Sequence, residues 1–396
     1  MLVLNQTLSD YQEKLLTARG VSFERVHEDA VTAALKPDPA VKPDPTLVFD
    51  ETLYFSREFL DEFLSRSRQS GATTTQACLK DGLFSNQLAI LQEAHSREGF
   101  TAFPLFYTST GTLDRSAATP ITIDVDEYSE SGNFPPHMLG KDNFKFSVTT
   151  RPILGVSESI HIGLVNMAAN FARIGRLRRP GPLAAIRTLI ALATAFTLDR
   201  TALKARALRA LSHIDPTAEV HPTAVVEGSV IGPRAKIGAY AVIRFSVVGT
   251  GAFVDDHAGI KFSTIGEGAY IANNNVIFFT TVYPGAFLIS GPYHFCCFGR
   301  NTAIMNSIPA DYRLDGKTVR VVTSRGVRDT GLRFTGSIVG HETRIAAGLI
   351  FPPGRTIPGG LTLYPDPARV LNELEPDIAE RGSVWFLKDG RLSDGG

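Results

Sequence analysis

Ile and Val recur at intervals of six, six and five residues along the second half of the chain. The positions are Ile214, Val220, Val226, Ile231, Ile237, Ile243, Val248, Val254, Ile260, Ile265, Ile271 and Ile277. The pattern therefore repeats every 17 residues, whereas an amphipathic helix repeats at about 3.6 residues and a half-buried strand at about 2. This spacing predicts a coil with three short sides, each of which points one branched side chain into a shared interior.

Two columns of small residues follow the same period. The first contains Ala218, Ala235, Ala252, Ala269 and Ala286, and the second contains Ser229, Ser246, Ser263, Thr280 and Cys297. We interpret these positions as places where the chain turns and only a small side chain fits. One coil cannot bury its own inward face, so a core forms only when neighbouring coils stack. The columns predict a left-handed parallel β-helix over residues 214–371.

The repeat is interrupted near its middle. After Val282 and Leu288 the next apolar position holds His294, and Asn275 breaks a column of small residues. Residues 311–336 leave the register and are rich in Lys and Arg, so we interpret them as a loop that leaves the coil. These interruptions lie close together along the chain, which makes them the first places to look for function.

The repeat resumes beyond the loop and ends before the C-terminus. Its later positions are Val339, Ile345, Phe351 and Ile357. Residues 372–396 are predicted to form a short cap or tail, in which Trp385 and Phe386 would dock.

Residues 1–156 show an α/β pattern rather than a repeat. A strand is predicted at Thr46–Phe49 and a helix at Arg57–Arg66, with Ser56 as its N-cap. Phe59, Leu60, Phe63 and Leu64 would share one face of that helix. Further strands are predicted at Phe103–Tyr107 and Ile121–Val125, and the Pro-rich residues 30–46 read as a loop. The fold class is therefore an α/β domain followed by a β-helix.

Residues 157–213 form a predicted helical connector with an unusual charge. A helix is expected over 157–177, and residues 173–209 hold nine Lys or Arg against one acid, Asp199. The apolar run Leu189–Leu198 lies among these cations. One interpretation is a helix on an anionic membrane surface or against an anionic partner. The other is a connecting helix that packs its apolar face on the β-helix and solvates its arginines.

Composition limits the partners and the cellular compartment that we expect for the protein. The 40 basic and 40 acidic residues balance, which gives no general attraction to nucleic acid. Three cysteines, two of them adjacent, disfavour a disulfide framework. The N-terminus lacks the pattern of a secretory signal, and no apolar stretch is long enough to span a bilayer. We therefore expect a cytoplasmic protein, with peripheral membrane attachment as the alternative.

The repeat resembles the hexapeptide-repeat transferase superfamily, and two segments strengthen the resemblance. The segment from Tyr364 to Leu371 is similar to the closing motif of many hexapeptide acetyltransferases, with Pro365 in place of the usual glycine. The segment from Val339 to Ile345 is similar to the His-Asp segment of acyl-carrier-protein-dependent sugar acyltransferases. The resemblance implies a homotrimer that moves an acyl group from coenzyme A or acyl carrier protein. The acceptor would be a small molecule: a sugar, a sugar nucleotide or a small amine.

The N-terminal half resembles a sugar-phosphate nucleotidyltransferase joined to a β-helix. The strand and helix of Thr46–Leu64 and the order of the domains carry this resemblance. The Gly-rich nucleotide loop of that family is missing, since Gly20 is the only glycine before Gly71. A related domain would therefore be truncated and unable to transfer a nucleotidyl group. This departure supports the alternative hypothesis, a non-catalytic trimeric scaffold or binding protein.

Acyl transfer needs a general base near the acceptor, and histidine suits that role near neutral pH. His341 is the favoured base, with Glu342 placed to orient it, and a solvated turn is the alternative. His294 either points inward with a hydrogen bond or is exposed by a one-residue slip of the register. His257 follows two aspartates in a corner and is the third candidate, with a polar surface position as its alternative.

The remaining candidates concern ligands. Arg325, Arg328 and Arg333 of the excursion loop could meet coenzyme phosphates. Arg369 lies in the closing segment, which in the resembled acetyltransferases passes near the coenzyme. Asn273, Asn274 and Tyr293 are candidate substrate contacts, although stacked asparagines could instead form an internal ladder at Asn275. The spacing of His257 and His294 does not match a shared zinc site, so we expect no metal.

Overall fold

The computed structural model describes residues 1–26, 45–92, 95–97, 99–132, 144–195, 199–371 and 385–394. Most of the predicted Pro-rich loop at 30–46 lies outside the described residues, as does most of the predicted tail at 372–396.

The N-terminal domain is built on one mixed sheet. In spatial order its strands are Ser22–Val26, Thr46–Asp50, Phe100–Thr108, Thr74–Lys80 and Thr119–Ile123, and His95–Arg97 also pairs with Phe100–Thr108. The outer pairs are parallel and the pairs with Phe100–Thr108 are antiparallel. Two-stranded pairs join Leu2–Val3 to Gln6–Thr7, Tyr54–Phe55 to Ile153–Leu154, and Tyr128–Gly132 to Phe144–Val148.

The described part of this domain also contains three helices: α1 (Leu8–Thr17), α2 (Arg57–Ser70) and α3 (Leu83–Gln87). Helix α2 confirms the predicted helix. The Ser56 hydroxyl accepts the amide of Phe59 at 3.1 Å, which caps the first turn. The predicted apolar face is buried. The helix extends beyond the predicted end to Ser70. It ends there because Gly71 adopts a left-handed backbone conformation (φ 68°), which terminates the helix.

The β-helix is confirmed, and it has three parallel sheets. The first sheet contains His213–Ile214, Val230–Ile231, Val247–Val248, Thr264–Ile265, Thr281–Val282, Cys297–Phe298, Ile338–Val339 and Thr356–Ile357. The second contains Glu219–Val220, Lys236–Ile237, Phe253–Val254, Tyr270–Ile271, Phe287–Leu288, Ala303–Ile304, Arg344–Ile345 and Thr362–Leu363. The third contains Val225–Glu227, Val242–Arg244, Gly259–Lys261, Val276–Phe278 and Tyr293–His294. Ile308–Pro309 pairs separately with Ile350–Phe351.

The predicted columns coincide with the stacking register. Ile214 pairs with Ile231, Ile231 with Val248, and Val248 with Ile265. The serine column does more than fill a tight space. The Ser229 hydroxyl accepts the amide of Ser246 at 3.1 Å, and the Ser246 hydroxyl accepts the amide of Ser263 at 3.1 Å. Serine therefore satisfies a buried amide of the next coil at each step.

The register slips by one residue at the fifth coil. Ile277 pairs with Tyr293, and Thr281 pairs with Cys297, so this coil is one residue shorter than the coils before it. Tyr293 takes the inward position and His294 points outward. The Thr280 hydroxyl accordingly accepts the amide of Cys296 at 3.2 Å, so Cys296 rather than Cys297 continues the small column.

A column of phenylalanines at the third corner joins the β-helix to the rest of the molecule. Phe245, Phe262, Phe279 and Phe295 all have left-handed backbone angles. Their rings stack in order with centroids 5.4, 4.9 and 5.1 Å apart. Helix α4 (Ser159–Leu177) packs here, with the Phe171 ring 5.9 Å from Phe279. This aromatic ladder and the N-terminal domain share one hydrophobic core.

Two shorter helices follow, α5 (Pro182–Ala193) and α6 (Arg200–Ala210). The prediction that the connector packs its apolar face on the β-helix is wrong for α5. Leu183, Ile186, Leu189 and Ile190 are 80, 53, 65 and 58% exposed. Helix α5 packs against α6 instead, and its opposite side remains bare. No described helix is both long and apolar enough to cross a bilayer.

Two antiparallel hairpins complete the described chain. Arg320–Thr323 pairs with Gly326–Asp329 in the excursion loop, and Trp385–Lys388 pairs with Arg391–Asp394 near the C-terminus. A 3₁₀ turn spans Pro367–Arg369, and Ala368 accepts the amide of Gly390 at 2.9 Å. Phe386 is 60% exposed, so its predicted docking is wrong. The Trp385 side chain lies outside the described part.

Candidate active site

His294 faces a carboxylate from the excursion loop. Its Nδ1 lies 3.2 Å from Oδ2 of Asp311, and the two side chains are 33% and 25% exposed. A carboxylate accepts hydrogen bonds, so the proton of a neutral imidazole is assigned to Nδ1. The lone pair on Nε2 is then available to take a proton from another molecule. Of the two readings of His294, the register slip that exposes it is confirmed.

The loop holds Asp311 in place through its backbone. The Asp311 carbonyl accepts the amide of Thr335 at 2.8 Å, across the width of the excursion. The next residue, Tyr312, lies with its ring 5.0 Å from the ring of Phe334. Asp311 is therefore fixed by the far end of the loop as well as by its chain neighbours.

His341 has the opposite arrangement. Its Nδ1 accepts the amide of Arg300 at 2.8 Å, so the proton of its neutral ring belongs on Nε2. The prediction that Glu342 orients His341 is wrong. Glu342 has a left-handed backbone angle (φ 58°), and its Oε1 accepts a hydrogen bond from the side-chain Nδ2 of Asn301 at 2.8 Å. In this neutral form the outer nitrogen of His341 can donate a hydrogen bond but has no lone pair to accept a proton.

His257 lies in an exposed corner on the β-helix surface. Its ring stacks on Tyr240 with centroids 5.1 Å apart. The neighbouring acids have other partners: Asp255 accepts the hydroxyl of Tyr270 at 2.9 Å, and Asp256 accepts the amide of Ala239 at 2.5 Å. These contacts agree with the alternative reading, a polar surface position.

The predicted substrate contacts do not converge. Asn273 and Asn274 are exposed at a corner of the β-helix. Asn275 points inward, where its Nδ2 donates to the carbonyl of Leu288 at 3.0 Å, so it bonds to backbone rather than to a stacked asparagine. Tyr293 is fully buried, its hydroxyl donates to the Ser290 carbonyl, and burial raises its pKa. A substrate role for Tyr293 is therefore wrong.

The four predicted phosphate-binding arginines are also dispersed. Arg328 belongs to the exposed loop hairpin, Arg325 to its turn, and Arg369 to the exposed 3₁₀ turn. Arg333 lies elsewhere in the loop, at the edge of a cavity described below. The structure thus brings one of the four to a concave surface.

A cavity of about 410 Å³ is lined by residues of the N-terminal domain, helix α4, the β-helix and the excursion loop. Five phenylalanine rings line it: Phe146, Phe171, Phe279, Phe295 and Phe334. Lys145 and Arg333 are also in its wall, and no carboxylate belongs to the described residues that line it. Volume and lining fall in the range of small-molecule sites, which span roughly 300–1,000 Å³. The lining therefore suits a mainly apolar group that also carries a negative charge.

The cavity and the His294–Asp311 pair share a wall. Phe295 follows His294 directly, and the Phe334 ring lies 5.7 Å from the Phe295 ring. Thr335, which binds the Asp311 backbone, also lines the cavity. The sequence carried a signal for this region, because the phenylalanines repeat with nearly the same period as the valines. The cavity itself joins distant segments and had no local signal.

The described residues give little support to metal binding or to catalysis by a cysteine thiol. None of them form a group of three or more His, Cys, Asp or Glu side chains that could hold a metal ion. Cys296 and Cys297 are buried free thiols, and burial raises the pKa of each to about 12. Such thiols stay protonated near neutral pH and are poor nucleophiles.

Comparisons with known proteins find matches among solved structures alone. No protein-family profile matches the chain, and no curated protein matches it. Among solved structures, the acetyltransferase domain of PglB from Neisseria gonorrhoeae FA1090 is 22% identical with a TM-score of 0.19, over 46% of this chain and 62% of that one. A hexapeptide transferase family protein from Anaplasma phagocytophilum is 19% identical with a TM-score of 0.18, over 42% of this chain and 81% of that one. The resemblance of the N-terminal half to a nucleotidyltransferase stays a prediction.

Proposed function

We propose that this protein is an acyltransferase in which His294 is the general base and Asp311 orients it. The observation that carries the proposal is the 3.2 Å contact between His294 Nδ1 and Asp311 Oδ2, on a ring that is one-third exposed. The contact assigns the proton of a neutral ring to Nδ1, which supports Nε2 as the atom that accepts a proton from the substrate. His341, the base favoured by sequence, lacks this geometry.

The reaction that fits is transfer from a thioester to an amine or hydroxyl. His294 Nε2 takes the proton from the acceptor as the acceptor attacks the thioester carbon. Asp311 stabilises the imidazolium that forms, as a carboxylate does in a Ser-His-Asp triad. The carbon–sulfur bond then breaks, and the proton on His294 passes to the leaving thiolate. The donor would be an acyl thioester of coenzyme A or acyl carrier protein.

The cavity supports a role in holding the acyl chain. Its five phenylalanine rings offer an apolar lining, and its two cations could meet a phosphate or carboxylate of the donor. The position of Phe295, which lines the cavity and directly follows His294, supports a chain-binding role for the cavity. The acceptor would be a sugar, a sugar nucleotide or a small amine, and the functional unit would be a homotrimer.

A direct assay tests the proposal. Purified protein is mixed with acetyl and longer acyl thioesters of coenzyme A and with a panel of amine and sugar acceptors, and thiol release is followed. We expect acceptor-dependent release that depends on chain length. Absence of release with every donor, together with no thermal shift on adding donors, would overturn the proposal and favour a scaffold.

A further inference from the structure

We infer that the α5–α6 hairpin docks on the surface of an anionic lipid bilayer. The first observation is its uncovered apolar stripe. Leu183, Ile186 and Ile190 lie at helical spacings of three and four residues, and Leu189 extends the same side. All four are more than half exposed. The opposite side of α5, by contrast, is partly covered by α6.

The second observation is the charge around the stripe. Five cations lie on the two helices: Arg187, Arg200, Lys204, Arg206 and Arg209. Asp199 is the single acid over residues 182–210, and its carboxylate caps α6 by accepting the amide of Thr201 at 2.7 Å. Arg187 is four residues after Leu183 and three before Ile190, which places it beside the stripe.

A groove at the base of the hairpin adds to this charge. It has a volume of about 560 Å³, and Arg187, Arg206, Arg209 and His213 line it. Arg206 is also bonded within the hairpin, since its Nε donates to the Ala191 carbonyl at 3.0 Å. Arg187 and Arg209 therefore remain the cations best suited to an external phosphate.

An anionic bilayer matches both observations. A helix with an apolar face and flanking cations lies in the interface, with its apolar side in the acyl region and its cations among the headgroups. Helix α5 has 12 residues, whereas a spanning helix needs about 20. A second copy of the hairpin is a poorer match, because a symmetric contact would bring cations against cations.

Flotation of the full-length protein with vesicles tests the inference. Wild type should float with vesicles of phosphatidylcholine plus phosphatidylglycerol, and much less with phosphatidylcholine alone. The double variant Leu189→Ser/Ile190→Ser should stay in the soluble fraction. The triple variant Arg187→Gln/Lys204→Gln/Arg209→Gln should lose about a hundredfold in partition coefficient on anionic vesicles. The variant Val322→Ser/Val327→Ser is the matched control, because both valines are 54% exposed on another hairpin.

Three results would overturn the inference. Wild type could remain soluble with anionic vesicles, or the Leu189→Ser/Ile190→Ser protein could float as wild type does. Light scattering could instead show that this double variant forms a smaller oligomer than wild type, which would assign the stripe to a contact between copies. Thermal melting of each variant checks folding, and little change is expected because the substituted side chains are exposed.

Discussion

His294 and His341 both lie on the outside of the β-helix but have opposite hydrogen bonds. His294 directly follows the inward Tyr293 in a strand, whereas His341 lies in a turn two residues after the inward Val339. Nδ1 of His294 faces the Asp311 carboxylate at 3.2 Å, whereas Nδ1 of His341 accepts the Arg300 amide at 2.8 Å. The first arrangement leaves a free lone pair on the outer nitrogen, and the second leaves a proton there. An acid next to a histidine in sequence is therefore no guide to which group orients the ring.

The surroundings of the two histidines also differ. The His341 ring satisfies an amide of the neighbouring coil, and its own carbonyl accepts the amide of Gly360 at 2.8 Å. His341 thus connects three successive segments of the β-helix. His294 lies where the regular stack is interrupted, beside the excursion loop and the aromatic cavity.

Among substitutions of the groups that contact the ring of His294 or His341, we expect Asp311→Asn to have the largest effect. Asp311→Asn should lower kcat by about 10²-fold with little change in KM, because a neutral amide no longer stabilises the imidazolium. Steady-state thiol release measures this, and ¹⁵N spectra of the histidine ring should show a weakened preference for the Nδ1 proton. Asp315→Asn, which removes a partner of Arg313 on the same loop, is the control. A wild-type kcat in Asp311→Asn would contradict the role of Asp311 in orienting and stabilising His294.

A smaller effect is expected from filling the cavity beside His294. A β-carbon at Gly163 would lie 3.9 Å from the Cβ of Cys297, so alanine fits and leucine would project into the space. Gly163→Leu should lower kcat/KM for long acyl donors by about fourfold for each methylene that is no longer buried. Activity with an acetyl donor should persist. Gly163→Ala is the matched control. Equal losses of kcat/KM for acetyl and long donors would show that the cavity does not bind the acyl chain.

The smallest effect is expected at His341. His341→Ala should reduce the free energy of unfolding by about 0.5–1.5 kcal/mol, because the Arg300 amide loses its acceptor. Chemical denaturation measures the change. His341→Asn supplies an alternative acceptor and should recover part of the loss. Unchanged stability in His341→Ala would show that water replaces the ring at no cost.

The sequence predicted the β-helix because its core positions repeat in register with the stacking. It also predicted α2, where a cap, an apolar face and a terminating glycine agree locally. The site was harder to predict. Asp311 reaches His294 only because one coil is shorter by a residue and the loop returns to hold it. The cavity is lined by side chains from 83 to 338, so its formation depends on domain packing rather than on any local pattern.

The most direct test compares kcat for acyl transfer in His294→Asn and His341→Asn, measured side by side with wild type. We predict a loss of about 10²–10⁴-fold for His294→Asn, the range of a general base, and a change within about twofold for His341→Asn. Both proteins should melt near the wild-type temperature. A large loss in His341→Asn with wild-type activity in His294→Asn would contradict the assignment of His294 as the base.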